Sequence, residues 1–257
     1  MASSRWRAYI STFLAALGGA ALSSLFWTAE VRHLKRREGH IHRVLVDLLL
    51  NTLSAGDAVT ERHSRRVASL TDVLAAASGI SGARHPTLRL AALLHDLGKI
   101  DDSFFHILHS YEPLSAEERE KINEHPIQSA DILEPLEEIH PGLSKIVAAH
   151  HECWDGNGYP DGLSGERIPL EARLISVADV FDALTQPRKY REPLTPDEAL
   201  REIEKGSGTR FDPAVIERLR QPEVIRQWRE IAERGRREET ITQEAERSEE
   251  ASADPDR

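Results

Sequence analysis

Apolar residues in this chain recur at intervals of three and four, and no convincing run alternates apolar with polar. Ile41, Val44, Leu45, Leu48, Leu49 and Leu53 fall at helical spacing, and Leu88, Leu90, Ala91, Leu93 and Leu94 crowd a second stretch. A period near 3.6 commits a chain to helices that bury one stripe against each other, so the reading is all-α. Turn residues set the boundaries. Asp57 or Thr60 can cap a helix running to about Ser78, before Ser78-Gly79 and Ser81-Gly82. Pro86 opens the next helix and Gly98 ends it; Ser115, followed three residues later by Glu118, carries a capping-box signature. Pro126, Pro141, Pro160 and Pro169 punctuate the helices that follow.

With 257 residues there is room for one sizeable core and appendages. A net charge of −10 argues against a protein that coats DNA, although a local metal charge would still attract a small phosphate ligand. Cys153 is the single cysteine, which excludes a disulfide framework and a cysteine-based zinc module. Metal binding must then use carboxylates and some of the 12 histidines.

The two ends differ in kind. Ala8 to Ala29 carries no formal charge and, at about 1.5 Å per helical residue, would just cross a bilayer core of about 30 Å. Tyr9 and Trp27 flank it, and Ser11, Thr12, Gly18, Gly19, Ser23 and Ser24 dilute it. A cleaved signal peptide competes with an uncleaved anchor; the apolar run continues past the small residues to Trp27, which favours an anchor over residues 1–29. Arg32, Lys35, Arg36 and Arg37 after it predict a single-pass inner-membrane protein with its catalytic domain in the cytoplasm. From about Gln221 the chain turns charged, which predicts a frayed helix passing into a partly disordered tail over residues 221–257. Residues 30–220 remain for the functional domain.

Chemistry-bearing residues are spread along that domain. His95 and Asp96 sit together in ALLHDLGKI, at the end of an apolar helix where an unpaired charge is costly. His150 and His151 are adjacent, so they diverge by about 100° on a regular helix; both reach one cluster only if the helix ends there, and the glycine-rich DGNGYPDG that follows supplies that end. Asp179 and Asp182 are three apart on an otherwise apolar helix. His63 and His125 each look like ordinary helix histidines. His33, His40, His42, His85, His106, His109 and His140 are assigned to no site.

The ordered series H…HD…H…HH…D, with HHECWDGNGYPDGL inside it, resembles the HD-GYP family, a branch of the HD-domain phosphohydrolases, over roughly Ile41 to Leu219. The resemblance implies an HD-domain helical bundle with a C-terminal HD-GYP extension, and a metal-dependent phosphodiesterase that hydrolyses cyclic di-GMP to pGpG and then to GMP. It implies His63, His95, Asp96, His125, His150, His151 and Asp179 as ligands of two divalent cations, Fe or Mn, with Asp96 bridging. Lys99 matches the lysine that contacts the scissile phosphate, and Gly158, Tyr159 and Pro160 form the GYP loop. Arg188 and Arg191 fall where the family turns basic residues toward the dinucleotide. A hydroxide generated between the cations would attack phosphorus in line.

Three departures qualify that picture. Val59 stands where some members carry a glutamate for a third metal, so two metals and pGpG as main product are expected. The loop after Lys99 reads DDSFFHI and then HSYEP, more acidic than the family pattern. Ser129 replaces a glycine after His125-Pro126, a change expected to be tolerated. Alternative readings are a catalytically weak module that binds the nucleotide or a diguanylate cyclase through the GYP loop, and a hydrolase of another cyclic dinucleotide. The Ile41–Leu53 stripe reads as core or homodimer interface.

Overall fold

The computed structural model describes residues 58–82, 84–100, 115–187 and 192–253, with scattered helical positions between 27 and 48. Met1–Leu49 and Leu50–Arg257 are separate compact units, and the whole candidate site lies in the second. Among the described residues there are helices and one isolated bridge, Ser207 to Phe211, and no strand.

Helix α1 spans Ala58–Ala77, close to the expected limits, and buries Val67, Leu70 and Leu74 on one stripe. Helix α2, Arg84–Leu94, is buried on almost every side from Leu88 onward, as its density of Leu and Ala requires. It gives way at His95-Asp96 to a 3-10 turn, Leu97–Ile100. Gly98 is required in that turn, because a Cβ would lie 2.6 Å from the His125 carbonyl oxygen. Helix α3, Ala116–Ile122, starts on the expected capping box: Ser115 Oγ accepts from Glu118 N, and Glu118 accepts from Ser115 N. Helices α4 (His125–Leu133) and α5 (Leu143–Ala148) pack on each other, and α4 also packs on the 3-10 turn. Helix α6, Leu170–Thr185, lies against α1. The short α7 (Pro196–Lys205) and α8 (Pro213–Leu219) are capped by Thr195 and Asp212.

One expectation is corrected. Among the described residues no helix is long and apolar enough to cross a membrane, which overturns the single-pass membrane localisation. The apolar α6 has only 16 residues, about 24 Å at the helical rise, and the 32-residue helix α9, Pro222–Ala253, is heavily charged. Ala8–Ala29, on which the anchor was expected, lies outside the described residues except for Trp27. Where a frayed helix and tail were expected, α9 makes contacts of its own. Val224, Trp228 and Ala232, spaced four apart on α9, are buried against the domain. Trp228 is fully buried, donates from Nε1 to the Leu70 carbonyl at 3.1 Å, and sets its ring 4.7 Å from Phe181 of α6. One buried apolar side chain per helical turn is enough to dock a helix whose average composition is polar.

Candidate metal centre

Helix ends deliver most of the candidate donors. His95 and Asp96 leave α2 in the turn beyond Leu94, and His125 is the first residue of α4. Helix α5 stops at Ala148, so His150 and His151 sit in a turn and escape the divergence of a regular helix. His63 projects from the second turn of α1, and Asp179 from the middle of α6. Three overlapping groups result: His63, His95 and Asp179; His125, His150 and His151; and His95, Asp96 and His150. Within each, one ligand atom per residue lies within 4.8 Å of the others. Asp96 stands between the first two. Its Oδ1 is 3.1 Å from His125 Nε2, and its Oδ2 is 3.5 Å from His95 Nε2, 3.8 Å from His63 Nε2 and 2.7 Å from Lys99 Nζ.

Backbone and carboxylate acceptors set the imidazole tautomers. Nδ1 donates to a carbonyl three residues back in His95 (Ala92, 3.0 Å), His125 (Ile122, 2.6 Å) and His150 (Val147, 2.6 Å). His63 Nδ1 instead donates to Asp182 Oδ2 at 2.8 Å. With Nδ1 occupied, Nε2 of a neutral ring presents only a lone pair to the cluster. His125 Nε2 and His150 Nε2 face each other at 3.3 Å, which two lone pairs do not favour unless something positive lies between or beside them. His95 Nε2 and Asp96 Oδ1 are buried without a hydrogen-bond partner, and the 3.1 Å approach of His125 to that oxygen lacks hydrogen-bond alignment. A buried set of nitrogen and carboxylate donors with lone pairs unspent suits a divalent transition metal.

Electrostatics agree. Burial opposes the charge on Asp96, but Lys99 and the surrounding imidazoles hold its carboxyl well below the usual range. Burial likewise works against Asp179, which its hydrogen bond with His63 keeps ionised. Burial and neighbouring imidazoles push His150 well down, and burial lowers His95, so both are neutral. His151 falls to about 3, again through burial. His63 goes the other way: burial alone would lower it, but hydrogen bonds to Asp179 and Asp182 and their charges lift it to about 9.

The GYP loop closes one side. Tyr159 lays its ring 4.9 Å from that of His151, and its backbone N–H donates to the His151 carbonyl. Gly158 admits no side chain, since a Cβ would meet Cys153 N at 2.2 Å. The peptide bond before Pro160 is cis. Buried Glu152 holds the loop, accepting from Asp161 N at 2.8 Å and Leu163 N at 3.0 Å. Trp154, whose role was open, stacks under the Arg173 guanidinium.

A family model for the HD domain matches residues 44–215. The chain belongs to the HD-domain family. The 3'3'-cGAMP-specific phosphodiesterase 2 of Vibrio cholerae is 36% identical to this HD domain over 68% of the chain and 34% of the relative. The cyclic di-GMP phosphodiesterase response regulator RpfG of Xanthomonas campestris is 34% identical over 74% and 50%, and a cyclic di-GMP phosphodiesterase of Thermotoga maritima 38% over 66% and 46%. The chain therefore spans about a third to a half of the length of these curated relatives. The solved structure of the V. cholerae cyclic GMP-AMP-specific phosphodiesterase V-cGAP3 shares the fold, with a TM-score of 0.54 at 20% identity over 74% of this chain and 53% of that one.

Within this HD domain the structure brings together His63, His95, Asp96, His125, His150, His151 and Asp179, with Lys99 beside them. Arg188 and Arg191 lie outside the described residues, as do residues 101–114 of the altered loop. Of the unassigned histidines, His85 pairs with Asp72 and His140 with Thr87. Sequence reasoning gave no role to Glu152, Arg66 or Glu239, and it read Ser129 only as a tolerated replacement. The Ser129 hydroxyl accepts from Gly98 N at 2.7 Å and so supports the turn that carries Lys99. Ser129→Ala leaves that buried N–H without its acceptor, and a loss of about 1–3 kcal/mol is expected in urea unfolding. An unchanged midpoint would mean that the bond contributes nothing.

Proposed function

We propose that this chain is a metal-dependent phosphodiesterase that opens a cyclic dinucleotide, cyclic di-GMP first of all, and yields mainly linear pGpG. The observation that carries this reading is Asp96, placed with one oxygen toward each of two three-residue donor groups. Two cations are the occupancy that such a pair of groups suits, one held by His63, His95 and Asp179, the other by His125, His150 and His151, with Asp96 shared. When bound, they would supply Lewis acidity and lower the pKa of a water to near neutrality.

The chain's own residues do the rest. Lys99 is partly exposed while its partner Asp96 is buried, so its ammonium stands at the rim, where it can donate to a phosphoryl oxygen as charge builds there. Burial and the charges of Asp96 and Asp179 raise the Tyr159 hydroxyl above its ordinary range. Tyr159 thus stays protonated, and a neutral phenol beside His151 tolerates an approaching dianion. The buried walls exclude bulk water and strengthen each of these interactions.

A second reading, cleavage of a mixed GMP-AMP ring, is favoured by relatives named as 3'3'-cGAMP-specific. The full chain with Mn(II) or Fe(II) and each dinucleotide separates them by chromatography of the products. Faster cleavage of the mixed ring transfers the proposal to that substrate. Binding without turnover under every metal replaces it with a nucleotide-binding or cyclase-binding module. Elemental analysis is expected to find two metals per chain, and three would contradict the inference drawn from Val59.

Metal uptake is expected to depend on pH through His63. Its pKa is raised, so in the metal-free protein the imidazolium adds stability that is whole below 6.5 and is lost as pH rises through about 9. A cation at Nε2 displaces that proton, so affinity rises with pH across the same window. About one proton per chain should be released at pH 7. Calorimetry in buffers of different ionisation enthalpy measures this, and zero release would rule out His63 as a ligand.

A further inference from the structure

Helix α9 reaches the candidate centre through a chain of buried charges. Glu239 is 6% exposed and takes two parallel bonds from Arg62, at 3.0 Å from Nε and 2.9 Å from Nη2. Its Oε1 also accepts from Arg66 Nη1 at 3.4 Å. Arg66, itself buried, turns its other edge to Asp182, with Nε 2.7 Å from Oδ1 and Nη2 3.1 Å from Oδ2. Asp182 Oδ2 accepts from His63 Nδ1 at 2.8 Å, and His63 Nε2 points at Asp179 Oδ1 at 3.2 Å. Gly235, one turn before Glu239, closes the space behind the arginine: a Cβ there would lie 2.5 Å from Arg66 Cδ and 3.1 Å from Gln186 Oε1.

Adhesion alone does not call for this arrangement. Buried ion pairs give little net stability over apolar packing, and α9 already has Trp228 against Phe181. What a planar, bidentate arginine provides is direction. Asp182 fixes which His63 nitrogen faces the cluster, Arg66 fixes Asp182, and Glu239 with Gly235 fixes Arg66. Glu239 also balances two guanidinium groups. Without its charge, Arg62 and Arg66 would oppose a cation at His63 as well as lose their anchor, and both effects act in the same direction.

We propose that Glu239 is a positioning residue for His63, acting through Arg66 and Asp182, so that the docking of α9 sets how tightly the His63, His95 and Asp179 group holds its cation. Helix α9 lies beyond the residues matched as HD domain, and the other donor group, His125, His150 and His151, has no link of this kind to it among the described contacts. The inference rests on the reading of the site as a metal centre, and its test separates the two.

The experiment compares the wild-type 257-residue chain with Glu239→Gln, which keeps shape and one acceptor, and with Glu239→Asp, which keeps the charge. In metal-free protein with 15N-labelled histidine, the His63 Nδ1 proton should exchange slowly in wild type, faster in Glu239→Gln, and be partly restored in Glu239→Asp. Mn(II) titration should then show one of two sites weakened about 10–100-fold in Glu239→Gln, the scale on which groups behind a ligand act, with the other within twofold. Equal weakening of both sites, or a lower melting temperature with His63 exchange unchanged, overturns the proposal and assigns Glu239 to the fold alone. Wild type that binds two metals but cleaves no dinucleotide defeats the functional reading while this inference stands. Wild type that binds no metal at all defeats both.

Discussion

Asp96→Ala is expected to lower phosphodiesterase turnover by about 10³-fold or more while leaving the far-UV circular dichroism of the helices in place. Effects of this size follow when one member of an interdependent catalytic set is removed. Asp96 touches both donor groups and Lys99, so its loss would take a shared donor from the two proposed cations and release the ammonium from its 2.7 Å contact. The fold should survive, because the core around it is built by Leu88, Leu90, Ala91 and Leu94 of α2 and by the stripe of α1. His95→Ala combined with Asp96→Ala should go further and abolish tight metal uptake, as elemental analysis would register. Full turnover in Asp96→Ala would remove the basis for a bridged pair of metals.

Trp228→Ala is expected to cost about 3–5 kcal/mol, the range for emptying a large buried aromatic site, and to lower the melting temperature by about 10 °C. The indole is fully buried, touches Phe181 and donates to the Leu70 carbonyl, so the change opens a cavity and removes that cross-helix bond. A chain ended after Arg220 should fare worse, since it also loses Val224 and Ala232 and bares Arg66 and Leu70 of α1 and Phe181 of α6. Protease resistance and dye binding would report it. A fragment 1–220 that melts like the whole chain would show that α9 is dispensable.

What was legible in the sequence was encoded locally. Capping residues, prolines and the glycine-rich stretch after His151 define helix ends by direct neighbours, so the limits of α1, the capping box at Ser115 and the release of the paired histidines could be read. All-α character followed from the same periodicity. The convergence of seven side chains could not be derived from spacing; the resemblance implied it, and the structure brings them together. Contacts across the fold left no trace. Arg62 meets Glu239 across a separation of 177 positions, and nothing near either residue in the sequence points to the other. Averaged composition hid Trp228 in the same way, because one docking residue per turn hardly changes a mean. Ser129 was read as a tolerated replacement because its partner, the Gly98 amide, lies 31 positions away. The membrane expectation rested on an uncharged stretch, its aromatic ends and the basic residues after it, and no described helix is long and apolar enough to cross a membrane.

His95 and His150 have no exposed surface in the folded chain. An ion seated among these donors would be covered behind by those two imidazoles and open on the side of His63 and Asp179, whose side chains keep 11% and 14% of their surface exposed. Chelators would then strip it from that open side, at a rate that grows with their own concentration.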